Sequence, residues 1–164
     1  MASALKNLSD YDSSKVPSAN GLRFGVVVSE WNTEITEALF NGVNETLLKF
    51  GAAQADIIRR NVPGSFELTL GGQLLAETKQ FDAIICIGVV IQGDTKHFDF
   101  ICDAVAKGIT DLNIKYNIPV IFGVLTPNTM QQAIDRAGGI HGNKGDEAAI
   151  TAIKMAALKK ELEA

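Results

Sequence analysis

Four short apolar runs rich in β-branched residues recur along the chain, and each is followed by a stretch with helical character. The runs are LRFGVVV at 22–28, DIIRRNV at 56–62, AIICIGVVI at 83–91 and VIFGVL at 120–125. Runs this short, bounded by Gly, Pro or polar residues, read as strands buried in a sheet. After the first, Ile35, Leu39, Val43, Leu47 and Phe50 fall at spacings of four and three. That spacing predicts an amphipathic helix over 34–50, with Gly51 as its stop. A second helix is predicted over 66–78, weakened by Gly71-Gly72, and a third over 96–116, with Ile101, Val105, Gly108 and Leu112 on one stripe. Two more, over 128–136 and 145–162, are separated by GGIHGNKG. Strands alternating with helices at this spacing predict an α/β fold. The expected form is a three-layer sandwich: a four-stranded parallel sheet in a flavodoxin-like order 2-1-3-4, with right-handed crossovers placing helices on both faces.

A chain of 164 residues suits one domain, expected over 22–164, behind a polar, flexible N-terminal arm over 1–21. Hydrophobic residues make up 46% and charged residues 21%, which excludes intrinsic disorder. The net charge of −4 argues against nucleic acid or an anionic membrane as partner. Mean hydropathy is +0.12, so surplus apolar surface is expected to be covered by subunit contacts. Yet no apolar run approaches the ~18 residues that a membrane span needs. Cys86 and Cys102 are the only cysteines, so no disulfide framework is implied. The first residues lack a signal-peptide apolar core, and a cytoplasmic protein is expected.

In open α/β sheets, ligands bind beyond the carboxyl ends of the strands. The segments there are SEWN at 29–32, PGSFE at 63–67, QGDTKH at 92–97 and TPN at 126–128. They hold the only Trp and one of two histidines. No G-x-G-x-x-G follows the first strand, and the chain has neither a P-loop nor a G-x-S-x-G elbow. The histidines and cysteines lack zinc spacing, so no metal is expected.

Each candidate residue has a functional and a plainer reading. Asp94 and Thr95, with free amides at a helix start, suit a phosphate or simply cap the helix. His97, in the first turn, is either a proton acceptor favoured as neutral by the positive helix end or a solvated histidine. Arg136 is a bidentate phosphate clamp or a partner for its own helix dipole. Trp31 stacks on a planar ring or plugs the domain. Glu67 binds a polyol or favours the start of a helix. Phe122 sits inside a strand and is by default core, and Lys144 touches a ligand or is a solvated loop lysine.

Taken together, RFGVVVSEWN, VPGSFEL, DAIICIGVVIQGDTKHFDFIC, PVIFGVLT and QAIDRAGGIHGNKG closely resemble the 6,7-dimethyl-8-ribityllumazine synthase family, in order and register over about 22–158. The resemblance implies the penultimate step of riboflavin biosynthesis. In it, 5-amino-6-(D-ribitylamino)uracil and 3,4-dihydroxy-2-butanone 4-phosphate give the lumazine, phosphate and water, with no metal or organic cofactor. It implies that Trp31 stacks on the pyrimidine, and that Ser65, Phe66 and Glu67 hold the ribityl chain. Val89, Val90 and Ile91 would read the pyrimidine edge through their backbone. Asp94, Thr95 and Arg136 would hold the phosphate, His97 would transfer protons, and Phe122 would come from a neighbouring subunit. Lys144, in the family-like GNKG, is kept as a substrate-binding candidate. The sequence departs from the family at Trp31, usually phenylalanine, at Gln92, often basic, and at Asp94, whose side chain is negative.

The resemblance also implies a homo-oligomer, either a pentamer or an icosahedral shell of sixty subunits built from twelve pentamers. The length of RAGGIHGNKG is that of shell-forming relatives. Alternatives are an archaeal-type riboflavin synthase, a flavin- or lumazine-binding module without catalysis, and a purely structural shell protein. GDTKHF and GNKG argue against the first, and the presence of both His97 and Arg136 against the second.

Overall fold

The computed structural model describes residues 7–163. Its main sheet contains β1 (Phe24–Ser29), β2 (Ile57–Val62), β3 (Ala83–Val89) and β4 (Val120–Leu125), all parallel, in the expected order β2-β1-β3-β4. The central strands β1 and β3 are buried at every position. Helices on both faces exclude water from both sets of side chains, which is why these segments are apolar throughout rather than alternating. β2 lies at an edge and carries Arg59, Arg60 and Asn61, charged and polar groups that blunt an unpaired edge. Arg59 forks onto the Glu37 carboxylate and lies 4.4 Å from the Phe40 ring centroid.

One face is covered by α1 (Thr33–Lys49) and α5 (Lys144–Glu163), the other by α2 (Leu68–Glu77) and α3 (His97–Tyr116). The predicted stripe Ile35, Leu39, Val43 and Leu47 packs with Val26, Val28, Ile85, Ile87 and Ile153 in one core. Val27, Ile84 and Cys86 point the other way, into Leu68, Val105, Ile109 and Leu112. Successive residues of one strand thus feed two cores, as the two-residue side-chain period requires. No helix among the described residues is long and apolar enough to cross a membrane.

The ends of several elements shift by one or two residues, β3 stopping at Val89 and the fourth helix starting at Met130, and two departures bear on the site. The second helix starts at Leu68, not 66, because Ser65–Glu67 forms a tighter 3-10 turn that runs directly into it. Residues 137–143, read only as a link after α4 (Met130–Arg136), form an antiparallel hairpin of β5 (Ala137–Gly139) and β6 (Gly142–Asn143). Gly138 and Gly142 adopt φ of 106° and 78°, a region that strains other residues.

The hairpin is fastened to α1. Asn143 Nδ2 donates to the Ala38 carbonyl at 2.9 Å, and its Oδ1 accepts from the Gly145 N–H at 2.8 Å. A Cβ on Gly145 would collide with the Leu39 carbonyl. Of the segment read as an arm, residues 1–6 lie outside the described residues. Further along, Leu8 N–H donates to the His141 carbonyl at 2.7 Å, Ser9 Oγ accepts from Asn143 N–H at 2.9 Å, and Ala19 is fully buried in the α1–α5 core.

Candidate active site

The cleft begins where β1 ends. Glu30 N–H donates to the Val62 carbonyl at 2.8 Å and Trp31 N–H to the Pro63 carbonyl at 3.1 Å, tying the loops after β1 and β2 together. Asn32 then turns the chain at φ 59°, and its carbonyl accepts from Ile35 and Thr36 at the start of α1. This sharp turn leaves Trp31 with its side chain outward, 72% exposed. It does not plug the domain.

After β2, Pro63-Gly64 leads into the 3-10 turn. Ser65 is buried and donates through Oγ to the Val89 carbonyl at 3.1 Å, while Phe66 stays 56% exposed. The third wall comes from the end of β3. Val90 N–H donates to the Leu125 carbonyl and Gln92 N–H to the Pro127 carbonyl, so backbone pairing toward β4 continues past the assigned strand. In a parallel sheet adjacent peptide groups point to opposite sides. Val89 and Ile91 therefore aim their N–H and C=O groups toward β1, whose last partner in β3 is Ile87. β3 runs on past its last partner in β1, and Val89 and Ile91 form a ledge of peptide groups there, of which the Val89 carbonyl already accepts from Ser65 Oγ.

These segments enclose a cleft of about 630 Å³ lined by Trp31, Ser65, Phe66, Glu67, Val89, Val90, Ile91 and His97, all read as candidates from sequence. Asn32, Gly64 and Ile101 also line it and were not among the candidates. Asn32 and Gly64 stood inside quoted loop segments. Ile101 was read as part of the core stripe of α3, and only its place at the helix start brings it to the cleft. His97 is the first residue of α3, exposed, with its N–H directed at Thr95 Oγ1 at 3.4 Å.

Other candidates lie outside the lining. Asp94 and Thr95 are exposed on the loop before α3. Arg136 closes α4 and donates from its guanidinium to the Gln132 carbonyl of its own helix at 3.1 Å. Phe122 is half-buried on edge strand β4, against the α2–α3 core. Lys144 pairs with the Glu147 carboxylate at 2.7 Å, and its side chain is only 15% exposed.

The cleft joins an exposed indole, an apolar wall, a ledge of peptide groups, one carboxylate and one imidazole. That set suits a flat heterocycle bearing a polyol, with one side chain able to move a proton. Among the described residues no group of three His, Cys, Asp or Glu is placed to hold a metal ion. Cys86 is fully buried, and desolvation pushes its thiol up to about 12, so it is no nucleophile.

Comparison with known proteins bears on this geometry. The family model of 6,7-dimethyl-8-ribityllumazine synthase matches residues 21–160. A relative of that name from Cytophaga hutchinsonii is 63% identical over 157 residues, covering 96% of this chain and 98% of the relative. One from Flavobacterium johnsoniae is 58% identical, covering 98% of this chain and 85% of the relative. One from Porphyromonas gingivalis is 56% identical, covering 98% of this chain and 99% of the relative.

Proposed function

The chain belongs to the 6,7-dimethyl-8-ribityllumazine synthase family, and from that premise we propose how its cleft works. The enzyme condenses 5-amino-6-(D-ribitylamino)uracil with 3,4-dihydroxy-2-butanone 4-phosphate, giving the lumazine, phosphate and water. The observation that carries this reading is that the ledge of Val89 and Ile91 and the exposed indole of Trp31 line one cleft. A pyrimidine offers N–H and C=O groups along its edge, which the ledge can pair, and a face, which the indole can cover.

The ribityl chain runs along Ser65–Glu67, where the Glu67 carboxylate accepts from its hydroxyls. His97 moves protons as the amine and ketone form an imine, phosphate departs and the second ring closes. Much of the acceleration comes from holding two small molecules together. The phosphate lies at the Asp94–Thr95 loop, where amides at the start of α3 favour an anion. Its fixed cation is Arg136, and Lys144, paired with Glu147 at the start of α5, is the remaining substrate-binding candidate.

Phe122, Arg136 and Lys144 do not line the cleft of their own subunit, and this supports a site completed by a neighbouring copy. So do the exposed apolar side chains of Phe66, Leu70 and Leu74 near α2, and of Phe100 and Ile114 on α3. The assembly is a pentamer or a sixty-subunit shell, and the length of 136–145 favours the shell. A cytoplasmic location fits two cysteines that form no disulfide with each other.

Mixing both substrates with the protein and following lumazine absorbance tests the reaction. No lumazine at a concentration where the protein sediments as an oligomer would defeat the reading. A sedimenting species near five subunits would remove the shell alone.

A further inference from the structure

Ser29 ends β1 and is fully buried, and its hydroxyl has no hydrogen-bond partner among the described residues. Val26 and Val28 enter the α1–α5 core and Val27 the α2–α3 core. The same alternation turns Ser29 toward α2 and α3, the side of the cleft. There it meets Gly88 of β3. A Cβ on Gly88 would lie 2.7 Å from Ser65 Oγ and 3.2 Å from Ser29 Oγ. The space that a side chain at 88 would fill is therefore bordered by the two serine hydroxyls and by Leu68 Cδ1 at 2.8 Å. Ser65 donates its proton to the Val89 carbonyl and keeps acceptor lone pairs, while Ser29 holds a donor with no acceptor.

A buried hydroxyl that has left water without gaining a partner destabilises the fold, and alanine at 29 would remove that penalty at almost the same shape. A second arrangement in which its proton is used would account for a serine at this position. Both hydroxyls border the space at Gly88, and rotation about the serine χ1 torsions is the motion that would turn them toward each other.

We infer that Ser29 is a positioning residue for the pyrimidine, one that donates to Ser65 Oγ when the ring is bound and holds Ser65 on the Val89 carbonyl. The chain Ser29–Ser65–Val89 then fixes one lone pair of that carbonyl and leaves the other for a ring N–H, each bond polarising the next. The inference rests on the proposed placement of the pyrimidine at Val89.

The test is Ser29→Ala in the assembled enzyme, measured as kcat, separate KM values, ring affinity by Trp31 fluorescence, and melting temperature. Loss of one well-placed hydrogen bond should raise the KM for the ribityl pyrimidine by roughly three- to tenfold. The KM for the butanone phosphate should not move, and the melting temperature should hold or rise. Ser65→Ala should weaken the same KM, and adding Ser29→Ala to it should bring little further loss, because the two act as one chain. An unchanged pyrimidine KM overturns the inference, as does a melting temperature that falls while both KM values rise together. A wild-type enzyme that forms no lumazine and binds no pyrimidine ends this inference together with the proposed reaction. Turnover with Ser29→Ala unaffected ends this inference alone.

Discussion

At the carboxyl ends of β1, β2 and β3, polar groups face outward: the ledge of Val89 and Ile91, the Glu67 carboxylate, the His97 ring. At the hairpin and the start of α5, an equally polar and glycine-rich stretch spends its groups inward. Asn143 bonds Ala38 and Gly145, Lys144 pairs with Glu147, and the backbone of 141 and 143 bonds to residues 8 and 9. Glycine and polarity mark both regions in the sequence alike. What separates the two is where the side chains point: into the cleft at the strand ends, and onto the protein's own backbone and carboxylates at the hairpin.

The largest expected effect breaks the fastening. Gly145→Ala drives a methyl into the Leu39 carbonyl between α1 and α5. A backbone clash in a packed core belongs with losses above about 4 kcal/mol, so the variant should be recovered largely unfolded. A soluble variant with a normal urea midpoint would show that α5 can shift away from α1 without loss. Asn143→Ala, which removes both amide bonds but no packing contact of that severity, should cost about 2 kcal/mol in the same assay.

Cleft variants should do the reverse, losing function while staying folded. Arg136→Ala should raise the KM for the butanone phosphate by roughly ten- to hundredfold, since the fork contributes charge-assisted bonds, and leave the pyrimidine KM alone. His97→Ala should lower kcat by ~10²-fold without abolishing it, because proximity survives. Normal kinetics in either variant would remove that residue's assigned role. Trp31 is the only tryptophan, so quenching of its emission by riboflavin or a ribityl pyrimidine reports on one position. Trp31→Ala should weaken ring binding by ~1–3 kcal/mol, by analogy with base–aromatic stacking, and Trp31→Phe should restore much of it. Neither should lower the melting temperature, because the side chain is 72% exposed.

The smallest effect comes from pH on the fastened face. The Arg59 guanidinium beside Glu37 of α1 holds that carboxyl below its ordinary 4.5. A depressed folded value means that the pair's stability is fully present above the ordinary value and is lost as pH falls below it. The groups are partly exposed, so the loss should be about 0.5 kcal/mol. Urea midpoints of the wild type and of Arg59→Met should converge as pH falls from 6 to 3. A constant gap between them would discard the pair as a source of acid sensitivity.

The sheet was legible because its information is local. Val26 to Val28 and Ile84 to Ile87 announce strands without reference to any other residue, and the helix stripe of 35, 39, 43 and 47 announces the face it buries. The cleft was legible through its loops, since strand ends carry ligands in such folds and the unusual residues collect there. The hairpin was not. Its register rests on backbone bonds, and the contacts that hold it come from Ser9 and Ala38, far away in sequence. Ile101 was read as core because periodicity reports the side of a helix and not how far along it the cover extends. Ser29 carried no signal either, since a strand-terminal serine looks the same with or without a partner.

The early end of β1 beside a longer β3 also bears on how this protein can change. On the proposed placement, a ring seated on the ledge would take the place that another strand would hold, and where the main chain stops would then help set which ring fits. Drift in the lining side chains can tune affinity while the pattern of peptide donors and acceptors persists. An insertion that extended β1 by a further pairing would fill the seat with the protein's own backbone. On the proposed placement, such a chain would have no seat for the ring, so the length of β1 is itself part of the site.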